Sequence, residues 1–272
     1  MKPDNRPIGI FDSGIGGLTI ARSVSMLMPH EQVLFFGDTA HLPYGDKSAE
    51  SIKSYVSRIA DFFIDNDCKL ILLACNSASA AAYPMLHRLH SETHPVLNVI
   101  DPNVEYAVKQ AYKTIGVIGT KATVTSRAFN RKFASAKPEL KVKSIATPLL
   151  APMIEEGYFN NNISQTIINS YLSNKKLDGI EALVLACTHY PLIKNEISRY
   201  YAEQKSNVEV IDSTDVIAAY TQKYMQKHKM LAAADRHPEH QFCVSDFTVS
   251  FQKTTNIFYG EAVKLTHVPI WG

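Results

Sequence analysis

Ala182-Leu-Val-Leu-Ala-Cys187-Thr188-His189-Tyr190-Pro191 is a short apolar run that stops at a cysteine and passes into hydrogen-bonding and ring-bearing residues. Such a run, bounded by breakers, predicts a parallel strand covered on both faces. The loop after a strand of this kind is where open α/β sheets bind ligands. Leu70-Ile-Leu-Leu-Ala-Cys75-Asn76-Ser77 repeats the plan. A second echo precedes each copy, because Ile8-Gly9-Ile10-Phe11-Asp12-Ser13-Gly14 is matched at nearly the same spacing by Ile115-Gly116-Val117-Ile118-Gly119-Thr120. Two copies cannot make a solenoid, so the pattern predicts a duplicated α/β lobe that offers one thiol at a strand end in each half.

A chain of 272 residues can bury one large core or two ordinary ones. Its net charge of +2 and 20% charged residues form no basic stripe, which argues against a nucleic-acid partner. The apolar runs are too short for a membrane helix. Met-Lys-Pro-Asp-Asn-Arg-Pro, ahead of the first strand, lacks an apolar signal region, which predicts a cytoplasmic protein. Cys68, Cys75, Cys187 and Cys243 have neither metal-ligand spacing nor disulfide density, so they are expected as thiols.

The first strand breaks into Asp12-Ser13-Gly14-Ile15-Gly16-Gly17, with a helix behind it. Thr19 stands where the dinucleotide fingerprint needs glycine, and no Gly-Lys-Ser/Thr follows, so neither nucleotide motif is met. The glycines would let backbone approach a small ligand; a tight turn capped by Asp12 is the alternative. Polar starters and alanines after Cys75 place it at a helix N-terminus, whose N–H groups would favour a thiolate. Asp101-Pro102 reads as a lobe boundary. The expected division is 1–97 plus 210–272 for the first lobe and 98–209 for the second, with the tail returning to the first. A terminal strand is expected over 264–271. Cys68 and Cys243 read as packing, and the Glu155-Glu156 pair, taken from spacing alone, as solvated acids.

Two matched thiols, one from each half, suit stereoinversion at carbon, in which one thiolate removes a proton and the opposite thiol delivers another to the far face. Asp12 could serve Cys75, while His189 and Glu155 could serve Cys187.

Taken in order, Asp12-Ser13-Gly-x-Gly-Gly, Pro43-Tyr44-Gly45, Ala-Cys75-Asn76-Ser77 and Ala-Cys187-Thr188-His189-Tyr-Pro resemble the glutamate racemases of the aspartate/glutamate racemase superfamily over nearly the whole chain. The resemblance implies an α/β fold of two similar three-layer lobes with mainly parallel sheets, related by a pseudo-twofold axis, and a site between them. It implies cofactor-independent interconversion of L- and D-glutamate, supplying D-glutamate for peptidoglycan. Cys187 would act on L-glutamate and Cys75 on D-glutamate, with Asp12 assisting Cys75. His189 and Glu155 would assist Cys187, Glu156 being the competing carboxylate. Substrate contacts would come from Asp12, Ser13, Tyr44, Gly45, Asn76, Ser77, Thr188 and His189, with Thr120 a weaker candidate. Ser77 departs from the family's usual threonine but keeps the hydroxyl. A homodimer is also implied, and no metal is. The rivals are a racemase for aspartate or another amino acid, a non-catalytic amino-acid-binding module, and a thiol redox protein, which would need two cysteines able to form a disulfide.

Overall fold

Strand and helix alternate from the start. In the computed structural model, which describes residues 3–272, the first half runs β1 (Ile8–Asp12), α1 (Leu18–Leu27), β2 (Val33–Gly37), α2 (Ala49–Asp65), β3 (Leu70–Leu73), α3 (Asn76–His90) and β4 (Val96–Asn98). The chain continues through α4 (Ile100–Val108), β5 (Thr114–Gly119), α5 (Lys121–Thr125), α6 (Ala128–Ala136), β6 (Lys141–Ala146), α7 (Leu150–Glu155) and α8 (Asn162–Leu172). Then come β7 (Ala182–Ala186), α9 (Lys194–Glu203), β8 (Glu209–Ile211), α10 (Ser213–His228), β9 (Gln241–Val244), α11 (Val249–Tyr259) and β10 (Leu265–His267).

The strands form two sheets, in the orders β10-β9-β2-β1-β3-β4 and β6-β5-β7-β8. All pairings are parallel. Read from β4, the first sheet runs β4-β3-β1-β2; read from β8, the second runs β8-β7-β5-β6, the same plan. The duplication extends to register, because Gly9 sits opposite Ile71 as Gly116 sits opposite Leu183. The tail returns to the first sheet as β9 and β10, extending it beyond β2.

Every residue of β1, β2, β3 and β7 is buried, the expected condition of strands with helices on both faces. Each large apolar side chain contributes about 2 kcal/mol by leaving water. One apolar cluster takes Leu18 and Val24 from α1, Leu185 from β7 and Ile217 from α10, so a continuous core joins the halves. Among the described residues no helix is long and apolar enough to cross a membrane.

Three expectations need adjustment. The divisions at 97/98 and 209/210 fall inside β4 and β8, since pairing carries through Asn98 and Ile211. Asp101 and Pro102 lie in the first turn of α4 rather than in a break; a missing N–H costs nothing there because the first four N–H groups of a helix have no partner within it. The terminal strand spans only Leu265–His267, and α11, not expected from the sequence, precedes it.

Candidate active site

The strand ends of both sheets converge on a cavity of about 290 Å³. Ser13 reaches it from the end of β1, Cys75 from β3, Thr120 from β5, Thr147 from β6 and Cys187 from β7. Cys75 and Cys187 are 6% and 7% exposed. Both line the cavity, so a molecule held there meets a thiol from each half.

Cys75 adopts an extended conformation and caps α3, its Sγ accepting from Ala78 N at 3.4 Å. Its thiol donates to Ser13 Oγ at 3.4 Å. Burial and the nearby Asp12 carboxylate push the thiol up to about 12, against its hydrogen bonds with Ser13 and Ala78. This corrects the expectation that the helix terminus would favour a thiolate: one long N–H···S contact is outweighed by loss of solvation.

Cys187 sits differently, followed by a 3-10 turn over Tyr190–Ile193. Its Sγ lies 3.6 Å from His189 Nδ1. On the ring's other side Nε2 donates to Glu155 Oε1 at 2.8 Å. Burial opposes a charge on the ring, but Cys187 and Glu155 prevail and raise His189 well above the ordinary imidazole value. Phe258 of α11 meets the ring edge-on, with centroids 5.2 Å apart. Cys187, His189 and Glu155 thus form one continuous chain of contacts. Glu155 lines the cavity and bonds His189, whereas Glu156 is exposed outside it.

Asp12 is fully buried and is not among the residues that line the cavity, which it adjoins through Ser13 and Gly14. It accepts from Gly14 N at 3.1 Å and from Thr188 Oγ1, of the opposite half, at 3.5 Å. Burial raises its carboxyl despite the nearby His189 and the N–H groups of Gly17 and Gly14. The glycine loop also differs from expectation. Gly14 lines the cavity, but Gly16 lies against the other half, where a Cβ would come within 2.5 Å of His189 Cε1 and 2.7 Å of Thr188 Oγ1.

The remaining expected contacts, Ser13, Tyr44, Gly45, Asn76, Ser77, Thr188 and His189, all line the cavity, as does Thr120. Ser77 Oγ and Thr120 Oγ1 lie 2.8 Å apart across the halves. The side-chain amide oxygen of Asn76 is buried with no hydrogen-bond partner among the described residues, and a buried acceptor of this kind calls for a donor. Among the described residues no three His, Cys, Asp or Glu side chains gather as around a metal ion.

Sequence reasoning missed Thr147 and Tyr190 as cavity residues and Phe258 as a neighbour of His189. Thr147 could have been found, since it directly follows a parallel strand, where ligands bind.

Comparison with known proteins bears on this arrangement. The Asp/Glu/Hydantoin racemase family matches residues 19–221. The chain is 37% identical to the glutamate racemase of Geobacter metallireducens over 94% of this chain and 93% of that one. It is 36% identical to that of Neisseria meningitidis, over 95% and 94%. Among solved structures it resembles glutamate racemase from Francisella tularensis in complex with D-glutamate, with a TM-score of 0.90 and 34% identity over 98% of this chain and 99% of that one.

Proposed function

This chain belongs to the Asp/Glu/Hydantoin racemase family, and from that premise we propose that it is a glutamate racemase working by proton transfer between Cys75 and Cys187. The observation that carries the reading is the pair of thiols at matching strand ends, facing one cavity. Similarity to glutamate racemases over almost the full chain, one of them solved with D-glutamate, supports the substrate. So does Asn76, whose unpaired amide oxygen offers an acceptor to an α-ammonium group.

With L-glutamate bound, the Cys187 thiolate takes the Cα proton, breaking the Cα–H bond and leaving its electron pair on a carbanion conjugated with the carboxylate. His189 Nδ1, 3.6 Å from Cys187 Sγ, is placed to hold the proton that Cys187 gives up before transfer. Cys75, a thiol at rest, then gives its proton to the opposite face, forming D-glutamate and a Cys75 thiolate. From D-glutamate the roles exchange. The buried Asp12 acts on Cys75 by its charge and accepts from Thr188.

The reading places the reaction in the cytoplasm, where a reducing pool keeps both thiols free, and assigns the D-glutamate to peptidoglycan. It includes a homodimer, supported by the exposed Leu149, Tyr158 and Ile163 around one surface groove and checked by sedimentation velocity. Chiral chromatography of L-glutamate incubated with the protein tests the activity. The expected end point is an equal mixture of enantiomers; racemisation of aspartate with glutamate untouched would overturn the substrate, and glutamate binding without turnover would favour a binding module.

A further inference from the structure

Tyr44 and Tyr190 are among the largest fully buried side chains, and both line the cavity. Each is tied to the same place in its half. Tyr44 donates to Asp38 Oδ2 at 2.6 Å, and Asp38 directly follows β2. The Tyr190 hydroxyl lies 2.7 Å from Thr147 Oγ1 and donates to Thr147 O at 3.2 Å, and Thr147 directly follows β6. Asp38 and Thr147 occupy equivalent positions, Asp38 N donating to Asp12 O and Thr147 N to Gly119 O. In each half a tyrosine hydroxyl therefore fastens the loop that leaves the second strand, Tyr44 from within that loop and Tyr190 from the segment after β7.

In the second half that loop opens α7, Leu150 N donating to Thr147 O. Glu155, at the far end of α7, holds His189 at 2.8 Å. His189 and Tyr190 are adjacent in sequence, so the segment after Cys187 meets the α7 segment at both ends, through Tyr190–Thr147 and through His189–Glu155. We propose that Tyr190, through Thr147, is a positioning residue that fixes α7 so that Glu155 orients His189 for proton transfer at Cys187. This rests on the two-thiol reading above. Tyr190 carries no proton in the reaction; its hydroxyl sets the geometry of the Cys187 half alone.

That one-sidedness supplies the test. If removing the hydroxyl impairs only the Cys187 side, proton transfer between Cα and Cys187 becomes the slower of the two steps. With L-[2-²H]glutamate the label is transferred in that step; with D-[2-²H]glutamate it is transferred to Cys75 in the other. For Tyr190→Phe the isotope effect on kcat/KM should rise with labelled L-glutamate and fall towards unity with labelled D-glutamate. Loss of one hydrogen bond predicts a fall in kcat of roughly five- to tenfold. Thr147→Val should shift both isotope effects in the same senses, Thr147→Ser should return them towards wild type, and the double variant should be no worse than the poorer single one. Isotope effects that stay unchanged, or move in the same direction for both enantiomers, would overturn the proposal even if stability drops. Failure of the wild-type protein to racemise glutamate would instead defeat the reading on which the proposal rests.

Discussion

Gly16→Ala adds one methyl group where the two halves meet at the site. The new Cβ would stand 2.5 Å from His189 Cε1 and 2.7 Å from Nδ1 and from Thr188 Oγ1. Non-bonded carbons sit at about 3.5–4.0 Å, so the ring or the loop must yield by about 1 Å. His189 cannot retreat without loosening its contact to Cys187 Sγ at 3.6 Å or to Glu155 at 2.8 Å. A catalytic group misplaced by about 1 Å costs about 10²-fold in rate. The overpacking itself costs about 1–3 kcal/mol, and each kcal/mol lowers Tm by about 2–4 °C in a protein of this size. Gly116→Ala makes a similar intrusion far from the cavity, 2.7 Å from Ile180 Cδ1 and 2.8 Å from Leu183 Cδ1. It should lose comparable stability while keeping its kcat per folded molecule. Initial rates with both enantiomers by chiral chromatography, beside melting curves, check the pair. The reasoning fails if Gly16→Ala racemises as fast as wild type, or if Gly116→Ala loses as much kcat.

Cys75→Ser and Cys187→Ser each replace one of the two proposed acid/base thiols with a far weaker acid, and each should lower racemisation by about 10²–10⁴-fold in steady-state assays. The raised value of His189 fixes the sign of a pH effect on stability. Its contribution is fully present below the unfolded imidazole value of about 6.5 and is lost as pH rises through the higher folded value. The Tm gap between wild type and His189→Asn should thus be widest at low pH and narrow as pH rises. Lys69 and Glu31 form a buried ion pair at 2.5 Å, remote from the cavity. Lys69→Met strands the carboxylate and should cost about 3–5 kcal/mol by denaturant titration, with part recovered by adding Glu31→Leu.

The duplication was legible in the sequence because it rests on local features. Gly9 and Gly116 mark the same register, and Cys75 and Cys187 end the same apolar strands. Other parts depend on distant packing. Val249–Tyr259 is rich in threonine and aromatic residues, poor helix formers, yet it is helical, with Thr255, Phe258 and Tyr259 buried. No local signal brings Phe258 to His189. The same holds for the buried Asp38, where Tyr44, Ser245 and Trp271 donate from three separate segments. Cys75 shows the limit of motif reasoning about ionisation. The helix N-terminus is readable in the sequence, but the burial that overrides it is a property of the closed cavity. Glu155 and Glu156 look alike in sequence, and only the turn of α7 separates them.

The central claim is that two thiols on opposite faces share the proton transfer, and early turnover of L-glutamate in D₂O tests it most directly. Thiols that exchange with solvent between turnovers should give D-glutamate carrying deuterium at Cα from the first product formed, while recovered L-glutamate keeps its proton. D-glutamate that retains the substrate's own proton would mean that one group serves both faces, and would contradict the account.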